Sequence, residues 1–298
     1  TLLHLVDRIS LGQPIARGRV VLHPVYVHQD PVDVIGAGRA GVRLSERPDP
    51  SVPQVRVINP ADRPALLTAG TILRGGMQTR MVSGSVLLPT EEPVELPVSC
   101  VERGRWSGGA GFELTDTVAP RRVRRTTDAT MTRNLTEGRR MADQSAVWQS
   151  VEHELGHDEP ANPTRNLDAP RPPRGDERIA AAIEELTSRG PLPRQTGVLV
   201  SHGERMVAAD LFGNPELLAD MWAGLVRSYY ANAPERTQGR PSTTHGLAYL
   251  RYFLTRPANR AGAVALGDEY RINARAITGT GLLDRDRLVH ATCFARAA

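Results

Sequence analysis

Turn residues punctuate the first third of this chain so closely that no long element fits between them. Its 298 residues include 27 Gly and 23 Pro. Between those breaks lie short apolar, β-branched runs at residues 19–27, 55–58, 65–73, 81–88 and 94–101. Runs of that length, spaced regularly by turns, predict an antiparallel sandwich or barrel-like layer. Pro24 breaks the first run, because proline has no N–H for a ladder. Asn59, Pro60 and Asp62 supply turn chemistry after the second.

The period then changes. Ala146, Val147, Val151 and Leu155 recur at helical spacing, with Trp148 beside them. Residues 157–175 hold Pro160, Pro163, Pro170, Pro172 and Pro173 and read as a connector. After it, an acidic first turn suits a helix over 176–189. A hairpin is expected over 197–211, turning at His202-Gly203. Asn214 and Pro215 are placed to cap and start a helix reaching Tyr230. A further helix is expected near 244–254, with strands at 261–266, 275–278 and 288–294. The predicted fold is α+β: an N-terminal antiparallel β layer packed by helices from the middle and C-terminal parts. The chain divides as a β-rich part ending in a helix (1–156), the connector (157–175) and an α+β part (176–298). The two parts are expected to pack as one unit, with the final strands returning to the first sheet.

Cys100 and Cys293 cannot build a disulfide framework, and such sparse use fits a reducing compartment. No apolar run approaches the roughly 18 residues of a membrane span. His4, Asp7 and Arg8 spoil the layout of a signal peptide. A cytoplasmic protein with no membrane partner is expected. Basic residues exceed acidic ones by 37 to 33, which suits a small anionic ligand without demanding one. Arg121, Arg122, Arg124 and Arg125 form the one dense basic run. Set against phosphate contact is a solvated strand edge, where such residues blunt aggregation. No nucleic-acid reading module or aromatic interleaving accompanies the run, so nucleic acid is disfavoured as a partner.

Two segments carry the chemistry. In Leu73-Arg-Gly-Gly-Met-Gln-Thr-Arg80, Gly75 and Gly76 let backbone amides approach a ligand or adopt positive φ. Gln78 offers an amide, and Arg80 a bidentate fork for phosphate or carboxylate. In an extended segment Gln78 and Arg80 share a face. The plainer reading is a bulge with Arg80 pinned in a structural ion pair. In Pro97-Val-Ser-Cys-Val-Glu-Arg-Gly-Arg-Trp106, a thiol at Cys100 beside Arg103 and Arg105 would act as a nucleophile if its pKa were lowered. A buried packing thiol is the commoner fate. Glu102 is the candidate general base or ribose-hydroxyl acceptor, and Trp106 a core or stacking residue. The candidate sets are Glu102, Cys100 and Arg103 for catalysis, and Gly75, Gly76, Gln78, Arg80, Arg105 and Trp106 for ligand binding.

Together these segments resemble the ADP-ribosylglycohydrolase- and rhodanese-phosphatase-associated proteins, a prokaryotic family. Asp143-Gln-Ser-Ala-Val-Trp148, Asn162-Pro-Thr164, Asp210-Leu-Phe-Gly213 with Trp222, and Leu288-Val-His-Ala-Thr-Cys-Phe294 add to the likeness. The resemblance covers roughly residues 10–295, and Met77 and Thr79 depart from its usual wording. It implies a place in NAD or ADP-ribose metabolism. The expectation is a hydrolase or transferase for an ADP-ribose, NAD-derived or nucleotide-like ligand. The alternative is a non-catalytic ligand-binding or interaction module.

One motif points elsewhere. His153-Glu154-Leu-Gly-His157 spells the helical zinc signature, with Glu154 placed to activate water. Gly156 and Pro160 put its second histidine at a fraying helix end, and the extended third-histidine pattern is absent. Zinc at His153 and His157 therefore stands as an alternative, no cofactor being favoured.

Overall fold

A computed structural model describes residues 1–156, 162–169, 177–231, 233–234 and 237–296. The chain opens on a 3-10 helix, Leu3–Arg8, followed by β1 (Ile9–Leu11), β2 (Ile15–Arg17) and β3 (Val20–Val27). Next come β4 (Ile35–Gly36), a short α1 (Ala37–Ala40), β5 (Arg43–Ser45), β6 (Gln54–Ile58), β7 (Ala65–Leu67) and β8 (Thr71–Gly75). They lead to β9 (Arg80–Val82), β10 (Val86–Leu88), β11 (Pro93–Cys100), β12 (Gly111–Val118), α2 (Arg121–Leu135) and α3 (Gln144–Leu155). The remainder is α4 (Glu177–Arg189), β13 (Gly197–His202), β14 (Arg205–Phe212), α5 (Pro215–Tyr230) and α6 (Thr243–Leu254), then β15 (Asn259–Gly262), β16 (Asp268–Asn273), β17 (Ile277–Asp284) and β18 (Arg287–Ala295). The fold is α+β, with its longer helices in the middle and C-terminal parts. Among the described residues no helix is long and apolar enough to cross a membrane.

The chain forms two units, and their limits differ from a single cut at the connector. Unit 1 takes Thr1–Val32, Pro173–Ala263 and Gly267–Ala298; unit 2 takes Asp33–Pro172 and Val264–Leu266.

Unit 2 is built on a closed barrel in the order β11-β6-β5-β12-β8-β9, with a second sheet β10-β7-β4. Strand alternation divides its apolar residues between two cores. Leu73 and Val82 join Val55, Val57, Leu96 and Val98 in one cluster. Their neighbours Ile72 and Met81 join Val123 and Met131 of α2 and Val147, Val151 and Leu155 of α3 in the other. Asp143 caps α3, its carboxylate accepting from Ser145 and Ala146 N–H. The helix α2 corrects the strand-edge reading of the basic run. Arg121, Arg122 and Arg125 are half-buried on it and Arg124 is buried.

Unit 1 is a nine-stranded sheet ordered β1-β3-β13-β14-β18-β17-β16-β15, with β2 also on β3. The final strands thus return to β3 through β13 and β14. Leu199, Leu211, Ala291 and Cys293 pack with Leu250 and Phe253 of α6. Asn214 caps α5 by accepting from Leu217 N–H, with Pro215 in the first turn. Pro24 does not end β3. Its carbonyl accepts from Gly12 N–H, so its missing donor faces the gap where the neighbouring strand passes from β2 to β1. The ladder to β13 therefore continues through it.

Candidate functional site

The first motif is the turn from β8 to β9. Gly75 and Gly76 have φ of +111° and +55°, which residues with a Cβ rarely adopt. Gly76 is also closely surrounded. A Cβ there would lie 2.2 Å from the Phe112 ring and 2.8 Å from Glu46 Oε1. That space lets Glu46, just after β5, accept the Met77 N–H at 2.9 Å.

The two motifs meet by register. Arg80 on β9 lies opposite Cys100 on β11. Arg80 Nη1 donates to Gln78 Oε1 at 2.8 Å, and Cys100 Sγ donates to the same oxygen at 3.2 Å. The Arg80 side chain is 0% exposed. Its Nη2 lies 3.9 Å from Glu46 Oε1, an ion pair too long for a hydrogen bond. Nε and Nη2 have no hydrogen-bond partner among the described residues, and neither does Glu46 Oε2. Trp106, 49% exposed, lies across the guanidinium at 5.5 Å from ring centroid to Cζ.

Beyond Cys100 the strand stops, and Glu102 becomes the centre of the next loop. Its Oε2 accepts from Thr79 N–H, Thr79 Oγ1, and Arg105 Nε and Nη2, and its Oε1 from Thr164 Oγ1. Burial opposes the charged form, but the donors from Arg105, Thr79 and Thr164 prevail and bring Glu102 down to about 2. Arg105 is equally engaged, donating also to the carbonyls of Gly76, Ser107 and Gly75. These contacts make Arg105 a clasp on the glycine turn. Arg103 stacks on Trp148 instead, 5.3 Å from its ring centroid.

Cys100 has the surroundings of a packing thiol. It is buried and donates to Glu102 O at 2.9 Å. Burial pushes its pKa up, against the pull of the Glu102 backbone, Arg80 and Trp148. A protonated thiol is a poor nucleophile. Gln144 fixes the same backbone, accepting from Cys100 N at 2.9 Å and donating to Cys100 O at 2.8 Å. The Asp143–Trp148 and Asn162–Thr164 segments thus both belong to this cluster.

The zinc signature fares differently. α3 ends at Leu155, His153 is exposed, and Glu154 pairs with Arg122 at 3.1 Å. His157, like most of the expected connector, lies outside the described residues. Among those described, no group of three His, Cys, Asp or Glu could hold a metal ion.

Asp210, Trp222 and the 288–294 segment belong to unit 1. Asp210 Oδ2 accepts from Tyr229 Oη, and its Oδ1 lies 3.7 Å from His290 Nε2. Trp222 Nε1 donates to Leu186 O at 2.7 Å. Unit 1 also has a cleft of about 570 Å³ lined in part by Tyr26, His28, Arg194, Pro215 and Glu216. None of the expected catalytic or ligand-binding residues lines it, although Gly213 and Pro215 do. Sequence reasoning missed Glu46, since one acid after a three-residue strand carries no pattern. It also missed Thr79 and Thr164, whose hydroxyls have meaning only once Glu102 is placed between them.

The fold and site define a class: an α+β protein with a six-stranded barrel and a guanidinium–carboxylate–indole cluster at its β8–β9 turn. The chain belongs to the ARG and Rhodanese-Phosphatase-superfamily-associated Protein domain family, whose model matches residues 8–294. No curated protein and no solved structure matches it.

Proposed function

We propose that this chain binds a small anionic, nucleotide-like ligand of the ADP-ribose or NAD-derived kind. Arg80 would grip the anion, and Trp106 would stack on the planar part. One observation carries the reading: a fully buried guanidinium with Nε and Nη2 unmatched among the described residues, under a half-exposed indole. A buried donor without an acceptor costs about 1–3 kcal/mol, and acceptors supplied by a ligand remove that cost. A guanidinium fork suits phosphate oxygens, and an indole face suits a base.

Of the two outcomes expected from the sequence, the geometry favours binding over turnover. Glu102, near 2 and saturated with donors, is too weak a base for neutral pH. Cys100 is held as a thiol. The test is titration of the full chain with ADP-ribose, AMP and pyrophosphate, followed by tryptophan fluorescence and calorimetry. Trp106→Ala changes an exposed side chain, so its fold should survive. Its affinity for ADP-ribose should fall by roughly tenfold or more, from stacking of about 1–3 kcal/mol. Arg80→Lys should weaken all three ligands. Unchanged affinity in both variants, or no binding by the natural chain, would overturn the reading.

A further inference from the structure

Arg80 does not face a purely cationic recess. Glu46 stands beside it and is fixed on both sides. Its N–H donates to Ala110 O at 2.7 Å, and its Oε1 accepts from Met77 N–H. Its side chain is 4% exposed, and Oε2 has no hydrogen-bond partner among the described residues. Arg80, with two donors lacking hydrogen-bond partners, therefore lies at ion-pair distance from a carboxylate whose second oxygen also lacks one among the described residues.

This pairing restricts what can bind. A bare phosphate on Arg80 would set its negative charge beside the Glu46 carboxylate, acceptor against acceptor. An ammonium group on Glu46 would meet the guanidinium. A neutral donor next to an anion satisfies both. Resting on the binding reading above, we infer that the site selects a hydroxylated anion of the sugar-phosphate class. Glu46 Oε2 accepts the sugar hydroxyl while Arg80 Nε and Nη2 donate to the phosphate. Glu46 is thereby the specificity-determining residue.

The experiment compares ribose 5-phosphate and glycerol 1-phosphate with propyl phosphate and inorganic phosphate, titrated into the full chain. The hydroxylated pair should bind at least about tenfold tighter, as a hydrogen bond to a charged acceptor supplies. In Glu46→Gln that advantage should shrink, while propyl phosphate binds as well or better because a neighbouring negative charge is gone. If Glu46→Gln does not fold, the ligand series on the natural chain decides alone. Equal binding of propyl and glycerol phosphates overturns the role of Glu46 and leaves the Arg80 reading standing. If none of the four binds, and ADP-ribose and pyrophosphate fail too, both readings fall.

Discussion

At Glu102 five donor atoms from Thr79, Arg105 and Thr164 converge on one carboxylate. Gln78 and Arg80 hydrogen-bond across the β8–β9 turn, where Gln78 precedes β9, so strand alternation does not account for their contact. It could not predict that β11 ends at Cys100, which turns Glu102 into a loop anchor. The consequence can be measured as stability. Its folded pKa, about 2, lies below the ordinary 4.5. Its contribution is therefore complete above pH 4.5 and disappears as pH falls toward 2. Glu102→Gln should destabilise the protein by about 3 kcal/mol at neutral pH, since it leaves Arg105 without its charge partner. In paired urea titrations of the natural chain and the variant, that difference should narrow steadily between pH 4.5 and the lowest pH at which both fold. A difference that stays constant would show that the ionised carboxylate is not what matters.

Among the elements, α2 was the one hidden by its own composition. Among its five arginines, the threonines Thr126, Thr127, Thr130 and Thr132 read poorly as helix, because β-branched residues lose rotamer freedom there. The helix forms because Val123, Thr127 and Met131 recur on one buried face. Two of the threonines bond back to it, Thr127 Oγ1 to Val123 O and Thr130 Oγ1 to Thr126 O. α5, by contrast, was legible from its cap Asn214, and α3 from the helical spacing of Ala146, Val147, Val151 and Leu155. Val123 and Met131 meet Val147 and Leu155 of α3 over Ile72 and Met81. Met131→Ala should therefore cost about 2–4 kcal/mol, as other buried truncations do. Thermal unfolding would measure it, and a loss under 1 kcal/mol would mean that α2 does not anchor this core.

For the whole molecule, composition revealed the class of fold but not how the chain is shared out. The proline-rich segment drew the eye as the boundary, yet sheet pairing decides membership. β3 pairs with β13 from Gly197↔Val25 to Ser201↔Val21, so Thr1–Val32 belongs with the C-terminal sheet. No local pattern announces a pairing over such a separation. A piece covering 33–172 should fold by itself, somewhat weakened by losing Val264–Leu266 and the bond from Leu266 N–H to Leu87 O. A piece covering 173–298 should not, because removing β3 bares β13 as an edge. Circular dichroism and solubility of the two pieces test this. A soluble, cooperatively folding C-terminal piece would contradict the assignment.

The same insertion sets a timetable for a ribosome. β3 emerges early, but β13 is translated only after unit 2 has passed. At about 5–20 residues per second the wait is on the order of ten seconds. Through that interval Val-Val-Leu-His-Pro-Val-Tyr-Val stands available to any passing strand, while unit 2 can already close its barrel. Pro24 gives no protection here, because its missing donor lies on the side of β1 and β2, and the edge that awaits β13 keeps its donors. That edge stays open until β13 is made, so the early strand depends on prompt synthesis of its own partner to avoid joining the wrong chain.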